Sequence, residues 1–373
     1  MPRIIRSFEA SPVAGWLSVI LAAGLALSTS AANPEPSGSP PLTPGGGHVV
    51  SAAPLVVSKG EAAGTYQAFP DVARLTNGDL FCVFYAGYGH VSLPKEGWPR
   101  GGRICGVRSP DEGRTWSRPE IVYDGPLDDR DPHVAQLSDG RVACSFFTYQ
   151  RTNQGVWCNT SVVLSADQAT HWDDQARIVA AGWPSSAPVR ELPSGTLLLG
   201  VYREEGGSAY GGVIRSTDRG RSWSAPIPIG QGSGVRLDAE TDLVRLRDGR
   251  LYAALRGDRV PMHFALSADE GVTWSKVEDI GFPGHCPHFT RLSTGELLLS
   301  HRLPRTALHV SADEGKTWRG PYRIDDTPGA YPSTVELKDG TVLVVYYEEG
   351  EGSGVRAKRF RVRPDGLEFL PLE

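Results

Sequence analysis

The sequence predicts an all-β fold, a six-bladed β-propeller of four-stranded antiparallel blades. Two interleaved repeats and one missing pattern carry that reading. Five segments are variants of Ser-x-Asp-x-Gly-x-Thr-Trp, at Ser109–Trp116, Ser165–Trp172, Ser216–Trp223, Ser267–Trp274 and Ser311–Trp318. Six apolar hairpins alternate with them, turning at Gly78, Gly140, Gly195, Gly249, Gly295 and Gly340. No long helical periodicity interrupts the repeats. Self-similarity at such a period means stacked supersecondary units. Six hairpins with five outer turns assemble most economically as radial four-stranded blades.

The N-terminus is of different material. Arg3 and Arg6 precede an apolar run, Trp16–Leu27, and then Ser30-Ala31-Ala32. That is the form of a secretory signal peptide over 1–32, with secretion or a periplasmic location expected; an uncleaved anchor is the alternative. The apolar run is too short to favour a membrane span, and no membrane association is expected once the signal is removed. Residues 33–47, rich in Pro, Gly and Ser, read as a flexible linker. The propeller domain is assigned to 48–373.

Within it, stretches such as 72–80 and 334–342 place a turn glycine between two apolar strands, the mark of a hairpin. In each Ser-x-Asp-x-Gly-x-Thr-Trp segment the Asp side chain caps backbone N–H groups, the Gly supplies a positive φ and the Trp packs beneath the turn. These residues are read as structural. The last blade has no such segment after Gly354, so its outer strand comes from His48–Val57, which closes the ring, or from Leu367–Leu372.

The 44 glycines, 29 prolines and 9 tryptophans of the 373 residues suit a turn-rich β protein. A net charge of −5 gives no reason to expect a nucleic-acid partner. One large domain, a monomer, is expected. Export permits disulfides. Cys82–Cys105 and Cys144–Cys158 are possible cross-strand pairs, with buried free thiols the preferred reading. No metal-ligand spacing surrounds Cys286, and neither metal nor cofactor is expected.

In a propeller, function gathers where the innermost strands begin, at the mouth of the central channel. Nine residues before the turn glycines stand Phe69, Asp131, Glu240, Cys286 and Tyr331; the third blade is one residue shorter and has Ala187 there. A Glu and a Tyr at repeat-equivalent positions of different blades can face each other across the channel.

The Ser-x-Asp-x-Gly-x-Thr-Trp segments resemble the Asp-box of sialidases and other Asp-box propellers. The segment Ala330–Gly340, followed by Tyr346-Tyr347-Glu348, resembles the sialidase segment that carries the nucleophilic tyrosine, and the resemblance implies that role for Tyr331. The segment around Glu240, followed by Arg256, is similar to the one carrying the partner glutamate and an arginine of the sialidase arginine triad. Arg305, before the box at Ser311, resembles another triad arginine, with Arg302 its rival. The chemistry is coherent. A sugar bearing a carboxylate at its anomeric carbon repels a carboxylate nucleophile, so a Tyr attacks instead. A phenol needs a base within reach. Guanidinium groups grip the substrate carboxylate.

Two expected parts are absent. Ala68, in Gln67-Ala68-Phe69-Pro70, stands where the family has its first triad arginine, and the loop 87–103 has no Asp to serve as acid. Glu96 is the only acid of that loop, with His90 nearby, and either is a substitute acid. Arg130 holds in the second blade the position of Ala68, and Arg203 follows the second strand of the third. Asp71, His133, His285 and His288 flank strand starts; with the arginines they suit an anionic sugar. The expected activity is that of a sialidase-like exo-glycosidase acting on a glycan with a terminal acidic sugar. The alternatives are another carbohydrate-active enzyme, a lyase or a different glycosidase, and a non-catalytic glycan-binding propeller.

Overall fold

A computed structural model describes residues 53–60, 62–205, 208–327, 329–350 and 353–372. The export signal and linker expected over 1–47 lie outside the described residues, as does the start of the assigned domain.

The described residues form six antiparallel sheets arranged as blades, with no helix among them. Blade 1 runs from its innermost strand Tyr66–Arg74 through Leu80–Gly87 and Arg103–Ser109 to the outer strand Glu120–Tyr123. The innermost strands of blades 2 to 6 are Asp128–Gln136, Arg190–Glu191, Leu237–Arg245, His285–Arg291 and Gly329–Glu336. Both candidates for the missing outer strand of blade 6 are used. Leu55–Lys59 pairs with the first half of the strand Gly354–Arg363, and Gly366–Leu370 pairs with the second half.

Apolar side chains fill every seam between neighbouring blades. Leu80, Cys82 and Phe84 of blade 1 meet Leu343, Val345 and Val355 of blade 6, joined by Val57 from the N-terminal strand. Comparable clusters lie between the other neighbours. Each fully buried Val, Leu or Phe contributes about 1.5–3 kcal/mol, so seams of this size hold the ring without a disulfide. All five cysteines are free. Register forbids the two pairs considered: Cys82 faces Val107, Cys105 faces Phe84, Cys144 faces Val163 and Cys158 faces Tyr149.

The Asp-boxes are built as their chemistry requires. Asp111 accepts from the Thr115 amide at 2.9 Å and the Thr115 hydroxyl at 2.6 Å, while Ser109 Oγ accepts from Gly113 N at 2.8 Å. Trp116 donates to the Gly113 carbonyl at 3.1 Å. The boxes lie with the hairpin turns. Glu112, for example, accepts from Arg74 of its own blade and from the Lys338 amide of blade 6. The opposite face, where the innermost strands begin, carries the candidate site.

Candidate active site

Each of five innermost strands breaks register with a bulge near its start. At the bulge Phe69, Asp131, Cys286 and Tyr331 take φ of 53, 49, 48 and 48°, and in blade 4 Ala239 does so, one residue before Glu240. Such left-handed, non-glycine backbone is costly and re-aims the side chain. Here it brings these positions to the channel mouth, where several of them meet.

The Tyr331 hydroxyl donates to Glu240 Oε1 at 2.5 Å. Arg256 Nη1 lies 3.0 Å from the same oxygen, and its Nη2 lies 2.6 Å from Asp238. Glu240 Oε2 accepts the Cys286 amide at 2.7 Å, which fixes the carboxylate from a third blade. The Arg302 guanidinium lies over the Tyr331 ring, 5.3 Å from its centroid. Burial alone would raise the Glu240 carboxyl; Arg256 and the Tyr331 hydrogen bond outweigh it and hold it down to about 2. Burial, with the Glu240 anion beside it, pushes the Tyr331 phenol well above its ordinary value. The proton therefore rests on the tyrosine, and an ionised carboxylate stands ready to receive it.

An aromatic wall closes one side. Tyr66, Phe69, Tyr85 and Tyr347 pack together with Tyr331 against them, and Ala68, fully buried, puts only a methyl among them. Arg130 packs against this wall, 5.5 Å from the Phe69 centroid and 5.6 Å from that of Tyr85. Among the described residues the Nε atoms of Arg130, Arg256 and Arg302 are buried without a hydrogen-bond partner. An unmatched buried donor costs about 1–3 kcal/mol, which an anionic ligand relieves. His285 is held down to about 3 by burial and by Arg256, so it is neutral near pH 7.

The structure thus brings together Tyr331, Glu240, Arg256 and Arg302, with Arg130 one ring away. Arg305 is not with them: it is about half exposed and 3.9 Å from Asp326. Arg203 donates to the Gly182 carbonyl at 2.9 Å and lies over Trp183. Glu96 is exposed on its loop. Asp71, His133 and His288 form a separate buried cluster deeper in the channel, where Asp71 accepts from Ser333 at 2.5 Å and lies 3.2 Å from His288 and 3.4 Å from His133. Below it the channel opens into a cavity of about 640 Å³ toward the hairpin turns. Asp238, Tyr66 and Glu349 were not singled out from the sequence. They come from positions that no repeat marks, although Glu349 directly follows the Tyr-Tyr-Glu run noted above.

A propeller with five Asp-boxes and a Tyr–Glu–Arg cluster at its mouth defines a class, the Asp-box propellers. Residues 103–344 match the BNR repeat-like domain, and the chain belongs to that family. It is similar to a sialidase of Micromonospora viridifaciens, 25% identical over 399 aligned residues that cover 93% of this chain and 59% of that protein. The chain therefore spans less than two thirds of that relative. Its fold is similar to that of a Dyadobacter fermentans protein of unknown function (TM-score 0.70, 22% identity, 83% of this chain and 98% of that one). It is also similar to the NanB sialidase of Streptococcus pneumoniae (TM-score 0.66, 14% identity, 83% and 70%). These likenesses show a sialidase-like propeller fold.

Proposed function

We propose that this protein is an exported exo-glycosidase that releases a terminal acidic sugar from a glycan, with Tyr331 as nucleophile and Glu240 as its base. The observation that carries the reading is the 2.5 Å hydrogen bond from Tyr331 to a carboxylate held ionised by Arg256. A buried phenol is a poor nucleophile at rest; passing its proton to Glu240 as the bond to the anomeric carbon forms removes that obstacle. Arg256 and Arg302 offer the donors for a substrate carboxylate. The similarity to a sialidase of Micromonospora viridifaciens supports this class of reaction.

The methyl of Ala68 alters the expected sugar. A third guanidinium there would add a charge-assisted contact worth about 1.5–3 kcal/mol, one to two powers of ten in binding. Its place belongs to the aromatic wall, so ordinary α-linked sialosides are expected to be poor substrates, and a different or modified acidic sugar is preferred. The test is a panel of purified glycans and acidic-sugar glycosides that includes sialyllactose, assayed with wild type and Tyr331→Phe. Release of an acidic sugar by wild type, reduced at least about 10³-fold in the variant, supports the reading. Binding without release by both proteins leaves a glycan-binding propeller instead.

A further inference from the structure

The Tyr331–Glu240 pair does not supply everything a glycosidase needs. An alkoxide leaving group needs a proton as its bond breaks, and the water that frees the sugar must lose one. The loop between Gly87 and Arg103 brings His90 to the pocket wall. Its ring stands edge-on to Phe69, 5.4 Å between centroids, and Phe69 meets Tyr331 at 4.9 Å on the same wall. His90 Nδ1 is 3.0 Å from the Tyr66 hydroxyl, which donates its one proton to Glu349 Oε1 at 2.9 Å. The Tyr66 oxygen can then only accept from His90. Nδ1 therefore carries a proton, and Nε2 is left for the substrate.

We propose that His90, oriented by Tyr66 and Glu349, is the acid–base residue of this site; the inference rests on the glycosidase reading above. In the first step Tyr331 Oη bonds to the anomeric carbon and its proton passes to Glu240. The bond to the aglycone oxygen breaks, its electron pair stays on that oxygen, and the oxygen takes the proton from His90 Nε2. In the second step a water oxygen bonds to the anomeric carbon and gives a proton to Nε2. The bond to Tyr331 breaks, and the tyrosine regains its proton from Glu240. Both residues return to their starting states.

Two other carboxyls are less suited. Asp238 is engaged by Arg256 at 2.6 Å. Asp131 is only 4% exposed, whereas His90 is exposed and open to an incoming glycan. The groups that face His90 are Tyr66, Arg130, Glu349 and Arg302. Burial and then Arg130 push its imidazolium down to about 4, with Glu349 opposing them. The required form is the protonated one, so kcat/KM falls as pH rises above about 4.

The experiment compares kcat/KM of wild type, His90→Ala and Tyr66→Phe on 4-methylumbelliferyl N-acetylneuraminate and 3′-sialyllactose, and on the matching aryl and alkyl glycosides of any other acidic sugar that wild type cleaves. The aryl leaving group departs without a proton. His90→Ala is expected to lose about 10²–10⁴-fold on the alkyl substrate and less than about tenfold on the aryl one. Tyr66→Phe removes the acceptor that stabilises the imidazolium, so the falling limb of the pH profile moves to lower pH; a merely structural role would not move it. Equal losses on both substrates, or none on either, overturn the proposal and leave the Tyr331 reading intact. If wild type cleaves no acidic glycoside while Tyr331→Phe binds glycan as wild type does, the glycosidase reading fails and this proposal with it.

Discussion

At the scale of single residues, the candidate site shifts two titratable groups in opposite directions, Glu240 down and Tyr331 up, so that the one proton between them rests on the tyrosine. Glu240 is the lower-pKa partner by a wide margin, so it stays ionised almost throughout the pH range of an assay. The sign of its effect on stability follows. Its folded-state value, about 2, lies below the unfolded value of about 4.3. The stabilisation is therefore complete above about pH 5 and is lost progressively as pH falls through about 4 to below 2. Glu240→Gln is expected to lower kcat/KM by about 10²–10⁴-fold. It should also lower stability at pH 7 by about 1–3 kcal/mol, since Arg256 keeps Asp238 as a partner. Urea unfolding at pH 7, 4 and 2.5 checks this: the gap between wild type and variant should be widest at pH 7, narrower at pH 4 and narrowest at pH 2.5. Much of this site was legible. A Tyr and a Glu in matching registers, with an Arg sixteen residues after the Glu, pointed to one pocket. The choice between Arg302 and Arg305 was not. Arg302 ends a strand and faces His285 across the ladder, whereas Arg305 falls in the turn beyond; only strand register separates them. Tyr66 and Glu349 are 283 residues apart and meet only when the ring closes.

At the scale of elements, turn chemistry was readable and backbone strain was not. The Asp-boxes and turn glycines declare themselves because each is a local solution to capping and positive φ. The bulges at Phe69, Cys286 and Tyr331 leave no such mark, since Phe, Cys and Tyr do not favour a left-handed backbone; of the four bulge residues only Asp131 is of a type enriched there. Tertiary packing imposes it, at a cost of about 1–3 kcal/mol each. The boxes give the second prediction. Asp111→Ala removes the acceptor for the Thr115 amide, the Thr115 hydroxyl and the Ser109 hydroxyl. Three bonds at about 0.5–1.5 kcal/mol each, partly replaced by water on this exposed turn, imply a loss of about 1–2 kcal/mol. The box lies on the face opposite Tyr331, so kcat/KM should be unchanged. Thermal unfolding beside a kinetic assay separates the two; a variant that keeps its Tm but loses activity would place the box in the site.

At the scale of the whole molecule, the ring must be closed against solvent at one blade, and two devices do so. One is polar and central: Asp71 of blade 1 accepts from Ser333 of blade 6 and the Val134 amide of blade 2, and reaches His288 of blade 5. Burial opposes its charge, but His133 and His288 outweigh it and hold the carboxyl well below its usual range. Asp71→Ala leaves those donors buried and unmatched, with an expected loss of about 3 kcal/mol. The other device is the pair of straps on the strand Gly354–Arg363. The sequence offered two candidates for one outer strand, and the choice was undecidable locally because the strand is long enough to take each on a different half. Removing residues 1–59 deletes the ladder to Gly354–Ala357 and withdraws Val57, 6% exposed, from the seam between blades 6 and 1. The side chain is worth about 1.5–3 kcal/mol and the ladder bonds about 0.5–1.5 kcal/mol each. A loss of about 4 kcal/mol is a large share of the 5–15 kcal/mol typical of folded domains. Removing residues 366–372 instead strips the other half of the same edge, including the partly buried Phe369. The straps touch different halves, so their effects should add within about 0.5 kcal/mol. Thermal unfolding of both single truncations and the double one is the measurement. Unchanged Tm after loss of the N-terminal strand would mean that the seam between blades 6 and 1 closes the ring without it.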